Sequence, residues 1–320
     1  MAKHIRPENI RKVTRHIFDL PTLPSTVAKM IEVIDHPSTS AHTLNTIVSS
    51  DQALAAQVLR LANSAYYGFP RKINTITLAI VVVGFETLKN FGLSSAVLDR
   101  FARFNHDVPF DIYLFWEHSI CTAVASRMLA RETGYQISGE AFAAGLLHDL
   151  GKYVISIYFR EVFEDVVEQM IDDDLPMYQV EEQHLAHVNH AQIGAWLVEK
   201  WNLSESIVSG IKHHHRPDLA NNHQQLAWIV HYANYLTKKF GVGFSGDMST
   251  TGYRDGLGER LGLRLTNDAL VDEDYYFRKL SAEIEKEQEL FSLIRQRTET
   301  EKNDTNSYEP DWSEHAASYA

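Results

Sequence analysis

Apolar residues in this chain recur every three or four positions, and nowhere do they alternate with polar ones over a length that would make a strand. Val27, Met30, Ile31 and Ile34 share the spacing, as do Ile10, Val13 and Ile17. A period near 3.6 puts such residues on one face of a helix, whereas a half-buried strand needs a period of two. The spacing therefore predicts an all-α chain. Pro7 suits a first helical turn, Ser25, Ser40 and Asp51 are N-cap candidates, and Gly68 and Gly84 are stops. The β-branched run Ile80-Val81-Val82-Val83 could be a buried strand, but Ile76, Leu88 and Phe91 carry the helical rhythm through it. It is read as helix.

Longer helices are predicted over residues 110–133, 139–150, 152–171, 190–201, 204–215 and 224–240, with Gly134, Gly151 and Gly241 as terminators. The turn-rich stretch Phe104-Asn105-His106-Asp107-Val108-Pro109 marks a boundary. Four parts are expected: a short-helix lobe over 1–108, a helical lobe over 109–241, a loop and last helix over 242–298, and a polar, disordered tail over 299–320. The last helix, near 267–297, carries Leu280, Ile284, Leu290 and Ile294 as one apolar stripe.

Thirty Lys and Arg against forty-two Asp and Glu leave a formal charge of −12, the wrong sign for a chain that coats phosphate backbones or anionic lipid. Nucleic acid is not the expected partner. Cys121 is the single cysteine, which excludes an internal disulfide framework and a thiolate-rich zinc site. The longest apolar stretch, Leu78 to Phe85, falls short of the roughly 20 residues that span a bilayer, and the polar N-terminus lacks a signal peptide's apolar core. A cytoplasmic protein without a membrane anchor is expected.

Of sixteen histidines, eleven lie between His106 and His231. Histidine is the commonest metal ligand, so this clustering locates the chemistry. Ala144-Gly145-Leu146-Leu147-His148-Asp149-Leu150-Gly151-Lys152 ends an apolar helix with an imidazole beside a carboxylate. A nitrogen and an oxygen ligand together suit Fe, Mn or Zn, while Mg favours oxygen alone. The alternative is that His148 caps a helix C-terminus and Asp149 is a surface acid. Other helices present imidazoles too: His118 between Glu117 and Ser119, His190 at the start of His-Ala-Gln-Ile-Gly, and His213-His214-His215 before Arg216-Pro217. Separate helices each supplying imidazole is how helical bundles build metal sites.

This ordered set resembles the HD superfamily of metal-dependent phosphohydrolases. Leu20-Pro-Thr-Leu-Pro24, Ser50-Asp51-Gln52-Ala53-Leu54, Leu59-Arg60-Leu61-Ala62-Asn63-Ser64-Ala65, Ile73-Asn74-Thr75-Ile76 and Ala79-Ile80 followed by Gly84 resemble its HDOD branch. The resemblance covers roughly residues 15 to 240. It implies a two-lobed, all-helical bacterial domain of signalling and regulation, for which a common enzymatic activity is not established. Carried over, it makes His118, His148, Asp149, His190, His214 and His215 the ligands of one or more divalent ions, with Asn234 a weaker one. Lys152 would face a phosphate, and Asp149 and Lys152 would be the catalytic pair of an active enzyme.

The chain departs from the pattern in three places. The superfamily's last aspartate falls at Asn234, a carboxylate of the cyclic-dinucleotide phosphodiesterase relatives falls at Leu114, and their Gly-Tyr-Pro loop is replaced by Arg216-Pro217-Asp218. Gly252-Tyr253-Arg254 lies too far on to substitute. The retained imidazoles point to metal binding, and the missing oxygen ligands point away from turnover. A regulatory module that binds a signalling protein or a small phosphorylated ligand is expected, with a metal-dependent phosphohydrolase of nucleotides or related phosphoesters as the alternative.

Several residues are given structural roles only. His184 and His187 are placed on an exposed helix surface, and His213 outside the ligand set. Cys121 is taken as a small buried hydrophobe, Asn63-Ser64 as a helix end bonding its own backbone, and residues 256–262 as a loop.

Overall fold

Helix starts are set by short polar side chains. Asp51 Oδ1 accepts the N–H groups of Ala53 and Leu54 at 3.0 and 3.1 Å, Ser40 Oγ accepts that of Thr43 at 3.1 Å, and Thr75 accepts that of Leu78. Each satisfies a donor that the first helical turn leaves open. The computed structural model describes residues 22–294 apart from 35, 65–66, 68–71, 103–107, 248 and 250–255. The helix expected around Ile10, Val13 and Ile17, Gly68, most of the 104–109 boundary, Tyr253 and the tail lie outside the described residues.

The first helices are α1 (Ser25–Ile34), α2 (Ala41–Val48), α3 (Gln52–Ala62), α4 (Ile76–Val83) and α5 (Phe85–Ala102). They pack through Val27, Met30, Leu44, Val58, Ile80 and Leu88, all buried. The β-branched run is helical, as its flanking rhythm predicts. Asn63 does end α3, with Nδ2 donating to Leu59 O, and it also exchanges two hydrogen bonds of 2.8 Å with the Ile73 backbone.

The second set is α6 (Ile112–Glu132), α7 (Ser138–Leu147), α8 (Leu150–Tyr158), α9 (Arg160–Asp173), α10 (Met177–His184), α11 (His190–Lys200), α12 (Glu205–Lys212) and α13 (Gln224–Phe240). Helix α6 is buried along most of its length and packs on α7 and α13, while α8 packs on α11, and α12 on α7, α11 and α13. Tyr153 of α8 sits edge-on to Phe101 and donates its hydroxyl to the Phe101 carbonyl at 3.0 Å, tying this set to the end of α5. The buried apolar side chains form one continuous cluster across both sets.

Two short pieces follow, α14 (Leu257–Leu261) and α15 (Glu273–Lys286), and α15 lies on α6. Among the described residues there is no strand, only an isolated bridge from Leu265 to Val271. No single described helix is long and apolar enough to cross a membrane. Helices α4 and α5 together reach that length and hydropathy but are bent by 105° at Gly84.

The structure corrects three boundaries. The helix expected over 152–171 breaks at Phe159, whose φ of −137° and ψ of 46° are not helical. The helix expected near 267–297 is split: residues 267–272 precede α15, which starts where Asp272 accepts the Tyr275 N–H and ends at its cap residue Glu287, and residues 288–294 form a separate helical stretch. The stretch expected to be a loop at 256–262 contains α14.

Candidate metal centre

Asp149 is the hub, and the break between α7 and α8 puts it there. His148 is the C-terminal cap residue of α7, and Asp149 precedes α8. Gly151 lets the start of α8 abut the start of α11, because a Cβ at this position would lie 1.9 Å from the His190 carbonyl oxygen. Any larger residue would push the two helices apart. As packed, His190 Nε2 stands 3.2 Å from Asp149 Oδ1 and His214 Nε2 stands 3.9 Å from it. On the other oxygen, His148 Nε2 is at 3.3 Å and His118 Nε2, from α6, at 3.7 Å from Oδ2. His215 Nε2 lies 2.8 Å from His190 Nε2. Each group, His190, His214 and His215 with Asp149, and His118 and His148 with Asp149, offers donor atoms within 4.8 Å of one another.

Asp149, His148, His190 and His214 are wholly buried, and His118 and Lys152 are 1% exposed. Asp149 is therefore no surface acid, which removes that reading of the His-Asp pair. His148 does cap its helix, since Nδ1 donates to Gly145 O at 2.8 Å, and this bond leaves Nε2 as a lone pair aimed inward. His214 repeats the device, donating from Nδ1 to Ile211 O at 2.7 Å. His190 Nδ1 donates to Glu181 Oε2 at 2.6 Å, and the same oxygen accepts the His190 backbone N–H at 2.8 Å. A carboxylate behind an imidazole is the usual support of a metal-ligating histidine.

His148 Nε2, His214 Nε2 and Asp149 Oδ1 have no hydrogen-bond partner, although all are buried. Buried polar atoms without partners are costly, and here two lone pairs face a carboxylate. A cation beside Oδ1 satisfies that oxygen and His214 Nε2, while His148 Nε2 faces the other oxygen, Oδ2. The donor set of imidazole nitrogens and one carboxylate fits Fe, Mn or Zn.

The protonation states of three imidazoles agree, and that of His190 runs the other way. Burial, reinforced by the neighbouring imidazoles, holds His118, His214 and His215 well below the ordinary histidine pKa, leaving them neutral as ligands must be. Burial works to raise Asp149, but His148 and the Lys152 ammonium outweigh it and keep the carboxyl well below its usual range. For His190, burial works downward, and Glu181 together with Asp149 reverses it to a net rise.

Lys152 Nζ bonds Asp149 Oδ2 at 2.8 Å and Ser245 Oγ at 3.2 Å. Its charge is committed to the hub. Ser245 belongs to the loop after α13, which lies directly on α6: Phe244 N–H donates to the Leu114 carbonyl at 2.9 Å, and a Cβ on Gly243, whose φ is +68°, would lie 2.1 Å from the His118 backbone nitrogen. Beside it, Lys238 and Asp247 form a buried ion pair of 3.1 Å. Asn234, on α13, is buried with Oδ1 lacking a hydrogen-bond partner.

The structure brings His118, His148, Asp149, His190, His214 and His215 together in one cluster, and Lys152, expected to face a phosphate, is instead turned onto Asp149 and Ser245. His213 stays outside, half-buried and bonded to Ser209. His187 is exposed, but His184 is not: it is buried, with Nε2 2.7 Å from Gln169 Oε1. Cys121 is fully buried, and burial pushes its thiol up to about 12. Glu181, Lys238, Ser245 and Asp247 were not anticipated. Glu181 is one of two adjacent glutamates on a polar helix, and nothing in its spacing marks it.

The HDOD domain model matches residues 20–217. An uncharacterised protein of Treponema pallidum (strain Nichols) is 29% identical over 230 residues, which are 71% of this chain and 44% of that protein. The chain thus spans less than half the length of that relative. Among solved structures, an HDOD domain protein of unknown function from Geobacter sulfurreducens superposes with a TM-score of 0.70 at 24% identity, covering 91% of this chain and 99% of that one. A candidate signal transduction protein from Marinobacter aquaeolei VT8 gives 0.71 at 20% identity, covering 91% and 65%. Those two share the fold. With the family model spanning most of its helices, the chain belongs to the HDOD domain family.

Proposed function

We propose that the protein is a bacterial regulatory HDOD module, working in the cytoplasm, that holds a divalent ion of Fe, Mn or Zn at the Asp149 hub and acts by binding rather than by hydrolysis. Its partner is a signalling protein or a small phosphorylated ligand. The observation that carries the metal is the pair of unpartnered buried atoms His214 Nε2 and Asp149 Oδ1, grouped with the Nε2 atoms of His190 and His215. Binding without turnover is supported by enclosure: the ligands bar His215 are buried, Lys152 is paired with Asp149, and the Gly243–Ser245 loop packs beside His118. When bound, the ion draws α8, α11 and α12 to one centre, so a partner that moves any of them changes its coordination. The name of the Marinobacter structure agrees with a signalling role.

One observation favours the alternative, a metal-dependent phosphohydrolase of nucleotides or related phosphoesters. The two oxygens of Asp149 serve two separate imidazole groups, as in paired-metal hydrolases. The two readings separate on phosphatase and phosphodiesterase substrates assayed with added Mn or Fe. The binding reading predicts no turnover above background, and hydrolysis that disappears in Asp149→Ala reverses the ranking.

A further inference from the structure

The two sides of Asp149 are unlike in charge. Beside Oδ1 stand three imidazoles, one of them backed by the Glu181 carboxylate. Beside Oδ2 stand two imidazoles and the Lys152 ammonium at 2.8 Å, with Lys238 in electrostatic reach of Asp149 and His118. We propose that the protein binds one divalent ion, on the Oδ1 side, and that the Lys152 ammonium, pinned by Ser245, stands in for a second ion on the Oδ2 side. This rests on the metal-binding reading above.

The charge balance of the buried cluster supports it. Asp149, Glu181 and Asp247 against Lys152 and Lys238 leave one net negative charge when the imidazoles are neutral. One divalent ion brings that to one positive, and a second would bring it to three positive in a region where every ligand but His215 is buried. Buried charge of that size is strongly disfavoured without counter-ions. Asn234 on α13, where the family resemblance expects an aspartate, is a neutral amide and adds no counter-charge. The Lys152 ammonium is held by two hydrogen bonds, to Asp149 Oδ2 and Ser245 Oγ, and its stem is buried. Displacing it would leave the ammonium without either partner. His148 Nε2 faces the same oxygen without a hydrogen bond, and the nearby ammonium is the positive charge that offsets their repulsion.

The test is metal content per chain by plasma mass spectrometry after equilibrium dialysis of the full chain against Mn²⁺ or Zn²⁺. The wild type should hold one ion. His190→Ala should lose it, His118→Ala should keep it, and Lys152→Met, with its helical circular dichroism intact, should take up two. Two ions in the wild type, or loss in His118→Ala with retention in His190→Ala, overturns the proposal, and so does a folded Lys152→Met that still holds one. If Lys152→Met does not fold, the two histidine variants decide. No ion in the wild type overturns the metal-binding reading itself, and the proposal with it. Any other result leaves that reading standing.

Discussion

Helices α1 to α5 and helices α6 to α13 bury different materials. Among the described residues, the first set encloses a single ionisable side chain, Lys89, with the neutral Asn90, Ser94 and Ser95 beside it, and otherwise packs Met30, Leu44, Val58, Leu88 and their like. The second set encloses His118, Arg127, His148, Asp149, Lys152, Glu181, His184, His190, His214 and Lys238. An apolar core is indifferent to protons and ions, whereas a buried cluster of imidazoles and carboxylates is stable only in particular charge states. The difference teaches that one half of the fold is held unconditionally and the other half depends on what occupies its centre.

That contrast can be broken in several ways. The largest effect is expected from Asp149→Ala, which strands the Lys152 ammonium and removes the common neighbour of the imidazoles. Losing one partner of a buried ion pair costs about 3 to 5 kcal/mol, read from chemical denaturation. A loss under about 1 kcal/mol would mean that the hub carries little of the fold. Leu44→Ala, in the wholly buried core of α2, should cost about 2 to 5 kcal/mol. Its loss should be the same with and without added metal, and dependence on metal would couple the two halves.

Adding Mn²⁺ or Zn²⁺ at a hundredfold excess over its dissociation constant should stabilise the wild type by about 2.7 kcal/mol, and a chelator should remove the gain. The same gain should appear in Leu44→Ala and vanish in His190→Ala, as scanning calorimetry would record.

The pH response is smaller per unit and has a definite sign. His118, His214 and His215 titrate well below the ordinary value in the folded chain, so on acidification the unfolded chain takes up protons first. Stability should therefore fall as pH drops below about 6.5, by up to roughly 1.4 kcal/mol per unit for each group. Asp149, depressed, adds a contribution that is lost only further down, as pH falls below about 3.9 toward its folded value. His190, raised, works the other way, with stability lost as pH rises through its folded value. Three groups outweigh one, and denaturation midpoints at pH 7 and pH 5 should show the net loss. A flat profile would show that the imidazoles are not held neutral.

Much of this was legible in the sequence because it is local or chemically distinctive. Asp51 and Ser40 act on N–H groups two and three residues away, so capping shows in the order of residues. Imidazoles are few enough in most chains that a cluster stands out. What escaped is long-range and chemically ordinary. Glu181 reaches His190 because α10 ends and the chain turns through Ala186 and His187, both with positive φ. The same turn takes His187 off the helix that holds His184, so their three-residue spacing no longer means a shared face. Ser245 and Asp247 sit in a glycine-rich loop whose course over α6 is fixed by packing on Leu114 and His118. The break at Phe159 is hidden because apolar residues continue across it.

Anomalous diffraction from crystals grown with Mn²⁺ or Zn²⁺ tests the central claim most directly. The account predicts one strong peak bounded by Asp149 Oδ1 and the Nε2 atoms of His190, His214 and His215, with Lys152 still on Oδ2. Density without an anomalous peak there, or imidazoles turned away from Asp149, would contradict it.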